Sequence, residues 1–255
     1  MLVTGASSGI GAALAEALAR AGATVGLCAR REEQLREVLT RCQSYSPGSR
    51  MWVTDLSDAA AVDALAAAVV DELGGVDMLI NNAGIPKRRH VTSLDPVTVD
   101  AVMQINYAAP VRLTLALLPQ MLQRKSGWIV NVSSVSATLS SPGEAAYAAA
   151  KAALSVFSEV MAVDLWDTAV KVLVVYPGVV DTELFTVPDN DPLVGGPEPI
   201  TTDVVVDAVL DGLDREASQV YVPGWFANVV TGKAADLDGY LAGVADYVRQ
   251  QRTQQ

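Results

Sequence analysis

The sequence predicts an α/β protein built on a doubly wound parallel sheet of six to seven strands, with helices on both faces. Short apolar runs rich in β-branched residues alternate with longer segments of helical periodicity along most of the 255 residues. The short runs are almost continuously apolar, as expected for strands that are buried on both faces. Because no internal repeat, linker or shift in composition divides the chain, we expect one domain spanning residues 1–255.

The predicted elements follow one another in a regular order, and right-handed crossovers place the helices on both faces of the sheet. Strands are predicted at residues 1–4, 24–29, 50–55, 78–81, 128–133 and 171–176, with a seventh, edge strand at 219–222. Helices are predicted at residues 12–21, 32–42, 59–73, 96–124 in two segments, 144–167 and 201–213. Proline, glycine and aspartate cluster in residues 186–199, which predicts a mobile substrate loop near 183–200, before a C-terminal extension over 201–255.

Charge and apolar patterning argue against several classes of protein. A net charge of −11 and a pI near 4.5 argue against nucleic-acid binding, which needs a basic face, and give no support for binding an anionic membrane surface. No apolar run approaches the roughly 18 residues that span a bilayer, and no signal-peptide pattern precedes the first strand. Cys28 and Cys42 lie outside any CxxC motif and predict thiols rather than a disulfide. We therefore expect a cytoplasmic protein without a membrane segment.

The segment TGASSGIG joins the first strand to the first helix. Gly5, Gly9 and Gly11 allow the backbone to turn tightly and to approach a pyrophosphate, while the helix N-terminus offers unpaired N–H groups. The spacing is Gly-x-x-x-Gly-x-Gly rather than the usual Gly-x-Gly-x-x-Gly. Nucleotide binding is favoured over the alternative, a structural turn without a ligand.

Further motifs follow the later strands. They are Asn82-Ala83-Gly84 after the fourth strand, Asn106 in a helical stretch, Ser134 after the fifth strand, Tyr147 and Lys151 thirteen and seventeen residues beyond it, and PGVVDT at 177–182 after the sixth. Together with the glycine-rich turn, this set resembles the short-chain dehydrogenase/reductase family, in its single-domain branch, over roughly residues 1–184. The resemblance implies a Rossmann-type fold and hydride transfer between a nicotinamide cofactor and a ketone, an aldehyde or a secondary alcohol.

Tyr147 and Lys151 lie four residues apart and share one helix face. A tyrosine with its ordinary pKa near 10 is a poor proton shuttle at neutral pH, and a nearby cation favours the phenolate. We expect Lys151, together with an oxidised nicotinamide ring, to lower the pKa of Tyr147, which would be general acid in reduction and general base in oxidation. The alternative, a solvated helix face, fits poorly with the small apolar neighbours in AAYAAAKAAL.

The resemblance assigns roles to three further positions. Ser134 is expected to stabilise the substrate oxygen by a hydrogen bond, with Ser133 and Ser136 as competing candidates. Asn106 matches the family asparagine that kinks its helix and holds a water in a proton relay to the lysine. Its alternative is a buried amide satisfied by backbone groups, and both descriptions can hold. Lys151 is also expected to hold the nicotinamide ribose.

By the same resemblance, the cofactor lies along the ends of the strands. Asp55 and Leu56 match the pair that contacts the adenine, 82–84 the segment beside the adenosine ribose, and Val180 and Thr182 the pair that holds the carboxamide. The alternative for Pro177 and Gly178 is a structural turn that ends the sixth strand. The complete predicted cofactor-binding set is Gly5, Ser7, Ser8, Gly9, Ile10, Gly11, Arg30, Arg31, Asp55, Leu56, Asn82, Ala83, Gly84, Tyr147, Lys151, Pro177, Gly178, Val180 and Thr182.

The end of the second strand discriminates between NADP(H) and NAD(H). An NAD site usually has an acidic residue there, about twenty residues past the glycines, which binds the ribose 2′-hydroxyl. Here that position is Ala29, followed by Arg30 and Arg31. Arg30 can form a charge-assisted fork to a 2′-phosphate, Ser7 can add a hydroxyl, and Arg31 either contributes or begins the next helix. NADP(H) is therefore preferred, with NAD(H) as the alternative.

The remaining charged motifs carry less information. His90, the single histidine, has no cysteine pair or second histidine nearby, so no metal site is predicted. Residues 87–89 (KRR) predict solvated surface, and a rim that attracts an anionic substrate or the cofactor is the alternative. The resemblance also implies a homodimer or homotetramer through the long helices near Asn106 and Tyr147 and through the C-terminal region.

Two other functions compete with the oxidoreductase. One is a catalytically silent nucleotide-binding regulatory or scaffold protein of the same fold, against which the intact Asn106, Ser134, Tyr147 and Lys151 argue. The other is a sugar-nucleotide epimerase or dehydratase, which would need a larger C-terminal domain. No motif identifies the substrate. We expect substrate specificity to be determined by residues 135–144, residues 85–91 and the loop after position 182.

Overall fold

The computed structural model describes residues 1–185 and 187–253 and contains a parallel sheet of seven strands in the order β3-β2-β1-β4-β5-β6-β7. The strands are β1 Leu2–Thr4, β2 Gly26–Ala29, β3 Arg50–Val53, β4 Met78–Asn81, β5 Gly127–Val132, β6 Val170–Pro177 and β7 Gln219–Val222. The order reverses between β1 and β4, which makes this pair the topological switch point. The predicted doubly wound sheet is confirmed, with the seventh strand at its edge.

Nine α-helices connect or follow these strands within the described residues. They are α1 Gly9–Arg20, α2 Glu32–Gln43, α3 Ala59–Leu73, α4 Pro96–Met103, α5 Ala109–Arg124, α6 Ala145–Asp164, α7 Thr202–Asp214, α8 Phe226–Ala235 and α9 Leu237–Thr253. A π-helical turn, Gln104–Ala108, separates α4 from α5, so the predicted division of 96–124 is confirmed. The helix predicted from residue 12 begins at Gly9, and the one predicted to reach 167 ends at Asp164, because loops and helix caps blur the periodic signal.

Each face of the sheet carries its own apolar layer. Helices α1, α2 and α7 cover one face, and α3, α5 and α6 cover the other. Successive strand residues point to opposite layers, so Leu2 packs on the α3 side and Val3 on the α1 side. This burial on both faces explains the continuous apolar strands of the sequence.

The two cysteines belong to different layers. Cys28 packs on the α3 side of the sheet and Cys42 on the α1 side, and both are free and buried. Burial raises the pKa of Cys28 to about 12 and that of Cys42 to about 11, so both remain thiols at neutral pH. The prediction of unpaired thiols is confirmed.

Two helical stretches, Pro96–Arg124 and Ala145–Asp164, are long and apolar enough to cross a membrane by length and composition alone. Both stretches also place side chains such as Leu113 and Met161 in the apolar layer against the sheet. Core helices of globular domains pack in the same way and can be equally long and apolar. The expectations of a cytoplasmic protein and of no membrane segment therefore stay predictions.

Candidate active site

A cavity of about 1150 Å³ lies at the carboxyl ends of the strands, at the switch point between β1 and β4. In open α/β sheets, ligands bind in this position. The turn after β1 and the first turn of α1 line one end of the cavity, and α6, α9 and residues 187–197 line the other. Of the predicted site residues, all but Gly11 and Asn106 contribute to its wall.

The glycine-rich turn packs directly on the loop after β4. A Cβ atom at Gly5 would lie 2.8 Å from Ala83 Cα, and one at Gly11 would lie 2.4 Å from both Asn82 Nδ2 and Gly5 O. Gly5 and Gly9 also have φ angles of +66° and +56°, in the region that only glycine enters without cost. Since α1 begins at Gly9, its free N–H groups open onto the cavity, and the glycines leave a cradle that fits a phosphate group.

Thr4 and Asn82 fix the relative position of β1 and β4. The Thr4 hydroxyl donates to Ile80 O (3.3 Å) and accepts from the N–H groups of Asn82 (3.0 Å) and Ala83 (3.1 Å). In return, Asn82 Nδ2 donates to Thr4 O (3.0 Å) and Gly5 O (3.3 Å). These bonds hold the glycine turn against the 82–84 segment, and Thr4 was not among the predicted site residues.

The arginines after β2 lie above the glycine turn. Arg31 Nη2 donates to Ser8 Oγ (2.5 Å) and Ser7 Oγ (3.1 Å), and its Nη1 pairs with Glu183 Oε2 (2.6 Å). Arg30 lines the same end of the cavity, opposite Asp55. Arg30 was predicted to have the leading role, whereas in the structure Arg31 makes the direct contacts with both serines.

Ser134, Tyr147 and Lys151 come together near the middle of the cavity. The ammonium nitrogen of Lys151 lies 5.8 Å from the centre of the Tyr147 ring and donates to Val132 O (2.8 Å). Ser134 lies within hydrogen-bonding reach of the Tyr147 hydroxyl. The arrangement places a hydroxyl donor, a phenol and a cation around one point of the cavity wall.

The two competing serines have other partners. Ser133 Oγ bonds to Lys151 O (3.1 Å) and to Ser155 Oγ (2.8 Å), which ties it to α6. Ser136 Oγ donates to Glu144 Oε2 (2.7 Å). Because Ser134 is the serine that meets Tyr147, the geometry supports the order of preference drawn from the spacing.

Burial shifts the pKa values of both Tyr147 and Lys151. Burial raises the pKa of Tyr147 well above its ordinary value, and the nearby Glu144 carboxylate raises it further, against the hydrogen bond from Ser134 and the charge of Arg88. Burial also lowers the pKa of Lys151 to about 8. In the polypeptide by itself desolvation thus disfavours the charged form of both residues, and the expected lowering of the Tyr147 pKa by Lys151 together with an oxidised nicotinamide stays a prediction.

Asn106 is fully buried in the π-helical turn between α4 and α5. Its Oδ1 accepts from Ile85 N (2.8 Å) and its Nδ2 donates to Ile85 O (3.0 Å). A Cβ atom at Gly84 would lie 3.1 Å from Asn106 Oδ1 and 3.5 Å from Lys151 Nζ, so the three residues converge. The backbone-satisfied amide of the alternative description is present, and the water relay stays a prediction.

The short chain dehydrogenase family model matches residues 1–191. The chain belongs to this family. A short-chain dehydrogenase from Sphingobium yanoikuyae, solved in complex with NADPH, is similar with a TM-score of 0.82 and 30% identity, over 96% of this chain and 94% of that one. The bulky-bulky ketone specific alcohol dehydrogenase from Comamonas testosteroni is similar with a TM-score of 0.78 and 27% identity, over 96% and 92% of the two chains.

Curated relatives differ in how much of their length this chain spans. A fatty acyl-CoA reductase from Acinetobacter baylyi is 34% identical over 248 residues, which are 95% of this chain and 82% of that protein. By contrast, the chain spans 60% of a relative from Pseudocercospora fijiensis that is 41% identical to it. These matches agree with the family membership, and the substrates of the relatives are properties of those proteins.

Within this family fold, Glu144 lies at the end of the stretch 135–144 that was expected to determine specificity, but the sequence predicted no individual role for it. It immediately precedes α6, is 7% exposed, and faces both Tyr147 and Arg88. Burial raises its pKa, while the hydrogen bond from Ser136 and the charge of Arg88 oppose that rise. The signal in the sequence was its position three residues before Tyr147, since side chains three apart along a helix are neighbours on its surface.

The prediction of solvated surface for residues 87–89 is wrong for Arg88, which is 3% exposed. Arg88 N donates to Asn190 Oδ1 (2.8 Å), and its Nε donates to Asp191 O (2.9 Å). Lys87 and Arg89 both pair with Asp189. We call these contacts between 87–89 and 189–191 the loop clasp. It buries Arg88 because the Asp191 backbone carbonyl and the Asn190 amide oxygen, about 100 residues away, accept its hydrogen bonds.

Proposed function

We propose that the protein is an NADP(H)-dependent oxidoreductase that transfers a hydride between the nicotinamide and a ketone, an aldehyde or a secondary alcohol. The observation that carries this proposal is the convergence of Ser134, Tyr147 and Lys151 in the same cavity as the glycine cradle. One end of the cavity fits a dinucleotide pyrophosphate, and the middle offers a proton donor for a substrate oxygen. The family membership and the alcohol dehydrogenase among similar structures support the same reaction class.

The side chains have distinct parts in this reaction. A bound nicotinamide supplies or accepts the hydride. Tyr147 donates a proton to the substrate oxygen during reduction and removes it during oxidation. The Ser134 hydroxyl donates a hydrogen bond to the same oxygen and stabilises its developing charge. Lys151 holds the ribose and, when charged, favours the phenolate form of Tyr147.

The two arginines support the preference for NADP(H). Arg31 already contacts the Ser7 and Ser8 hydroxyls at the glycine turn, and Arg30 lines the same end of the cavity. A 2′-phosphate placed there would meet two guanidinium groups, which bind phosphate oxygens in a bidentate fashion. Glu183 offsets part of this charge through its pair with Arg31, and it is the feature that favours NAD(H).

Titrations with NADPH and NADH test the cofactor preference. We expect NADPH to bind at least about tenfold more tightly, since a charge-assisted fork contributes a few kcal/mol. Alanine at Arg30 or Arg31 should weaken NADPH binding and leave NADH binding nearly unchanged. Arg36→Ala is the matched control, because Arg36 pairs with Glu32 on the surface of α2. Equal loss of both cofactors in the arginine variants would contradict the preference.

The Tyr147→Phe variant tests the reaction itself. It removes the hydroxyl and keeps the ring, so turnover should fall by about a hundredfold or more, with NADPH binding retained. Tyr45→Phe, at an exposed tyrosine outside the cavity, is the control. Turnover that survives in Tyr147→Phe would reject the acid–base role. NADPH binding without turnover of any carbonyl or alcohol by the unaltered protein would favour the scaffold alternative.

A homodimer through the long helices is the proposed assembly. The outer face of α6 exposes Val156, Val160 and Val163 at fractions of 57%, 54% and 72%, and Leu115 on α5 is 56% exposed. Apolar side chains at positions i, i+4 and i+7 form one stripe on a helix, which a second copy could cover. Light scattering on the unaltered protein and on Val160→Asp tests this assembly. A monomer in both samples would reject it.

A further inference from the structure

Beyond Ser134 and Tyr147, the cavity continues into an apolar end. Val135 and Leu139 follow Ser134 and form one wall with Phe226 of α8. Leu193 and Val194 of the substrate loop contribute to the wall of the same cavity. This end is where the part of a substrate beyond its carbonyl group would lie.

Helix α9 closes this apolar end, although no prediction from the sequence gave it a function. Tyr240, Val244 and Tyr247 line the cavity and lie four and three residues apart, which places them on one face of α9. The Tyr240 hydroxyl accepts from Ser140 N (3.3 Å), and the Tyr247 hydroxyl accepts from Gly196 N (3.1 Å). Both phenol oxygens are therefore occupied by backbone groups, and the rings and Val244 provide apolar surface.

The charged residues at this end among those that the structure describes already have protein partners. Lys87 pairs with Asp189. Arg88 donates to Asp191 O, and Glu144 accepts from Ser136. A charged substrate group would have to displace one of these contacts, whereas an apolar group would replace only water. Because these charged side chains already have protein partners, an apolar ligand is favoured at this end. The anionic substrate that residues 87–89 were expected to attract as an alternative is disfavoured.

We propose that this end of the cavity binds a large apolar substituent on the substrate carbonyl, such as an extended alkyl chain, and that Val244 determines this specificity. The inference rests on the proposed function, because it places the carbonyl group at Ser134 and Tyr147. The apolar end is built from three segments that are distant in sequence, 135–139, 193–194 and 240–247, and all three face the same space.

A series of methyl ketones from 2-butanone to 2-decanone, reduced with saturating NADPH, tests the inference. Each methylene that leaves water for an apolar site contributes about 0.8 kcal/mol, which corresponds to about a fourfold rise in kcat/KM. We expect this rise to continue along the series until the apolar end is filled. A kcat/KM that is flat or falls with chain length would overturn the inference.

Paired substitutions on α9 sharpen the test. Val244→Asp places a carboxylate at the apolar end and should lower kcat/KM for 2-decanone by at least about tenfold, with little change for 2-butanone. Ala245→Asp is the matched control, because the same residue enters the same helix at an exposed position. Equal effects of the two variants on 2-decanone would overturn the assignment of Val244.

Binding without turnover separates this inference from the proposed function. Calorimetric titration of 1-butanol and 1-decanol onto the NADPH complex, in which no oxidised cofactor is present to accept a hydride from the alcohol, measures the apolar end independently of catalysis. Tighter binding of 1-decanol that Val244→Asp removes and Ala245→Asp retains supports the inference, even where no ketone is reduced and the proposed function fails. Equal binding of both alcohols overturns it, whatever the turnover.

Discussion

The two ends of the cavity are built in different ways. At the cofactor end, the glycine turn and the 82–84 segment form a closely packed backbone wall, which Thr4 and Asn82 hold at the ends of two strands. At the substrate end, the wall is made of side chains held by partners about 100 residues away, as in the bond from Ser140 N to the Tyr240 hydroxyl and in the loop clasp. A site built from backbone tolerates no added side chain, whereas a site built from side chains can change residue by residue. The difference suits a shared cofactor and a variable substrate.

Gly11→Ala is expected to have the largest effect, because it tests the backbone wall. The new methyl group would lie 2.4 Å from Gly5 O, and a backbone atom cannot move aside as a flexible side chain can. NADPH affinity should fall by about a hundredfold or more, or the protein should lose about 2–4 kcal/mol of unfolding free energy. Cofactor titration and urea unfolding measure the two outcomes. A variant with unaltered affinity and stability would show that the turn is not closely packed.

This contrast also explains which features were predictable from the sequence. The glycine turn, the strands and the Ser134-Tyr147-Lys151 set are encoded locally, because each motif lies directly beside the strand or on the helix that positions it. The burial of Arg88 and the apolar face of α9 depend on partners about 100 residues away. No local pattern specifies such a pairing, so residues 87–89 were predicted as surface and α9 as an undefined extension.

Lys151, between the two ends, tests the cost of burying a functional charge. Its pKa of about 8 against an ordinary 10.5 means that the unfolded chain binds more protons between these pH values. Burial of Lys151 therefore contributes a rise in unfolding free energy from about pH 8 to 10.5, which the raised pKa values of Cys28 and Cys42 oppose above about pH 9. The stability of the unaltered protein relative to Lys151→Met, which lacks the Lys151 contribution, should therefore rise over this range.

At pH 7, Lys151→Met should be more stable than the unaltered protein by about 1–2 kcal/mol, because it removes a buried cation and leaves only Val132 O without its donor. The same variant should lose turnover. Urea unfolding at pH 7 and pH 10 provides the comparison. A variant that is less stable at pH 7 would show that the hydrogen bond to Val132 outweighs the desolvation of the ammonium group.

Asp189→Asn tests the loop clasp with a smaller expected effect. Asp189 has a φ of +65°, which asparagine also tolerates, so the variant removes the charge and keeps the backbone. The pairs with Lys87 and Arg89 lower the pKa of Asp189 to about 2, so the clasp stays charged throughout the neutral range.

We expect Asp189→Asn to lower kcat/KM for a long-chain ketone by about twofold to fivefold, with the same NADPH affinity. High salt should reduce the difference, since it screens exposed pairs in the unaltered protein as well. Asp246→Asn is the control, because Asp246 pairs locally with Arg249 on α9. A change in NADPH affinity would break the separation between the two ends.

The smallest expected effect is that of Gly232→Ala. Like Gly11→Ala it replaces a glycine by alanine, but it should stabilise the protein. Gly232 lies inside α8, and a Cβ atom there would meet no atom within 4 Å. Gly232→Ala should therefore raise the unfolding free energy by about 0.5–1 kcal/mol, because alanine loses less backbone entropy in a helix. NADPH affinity and turnover should not change. If Gly232→Ala destabilises the protein as Gly11→Ala does, then close backbone packing extends to the C-terminal helices, and the contrast between the two ends does not hold.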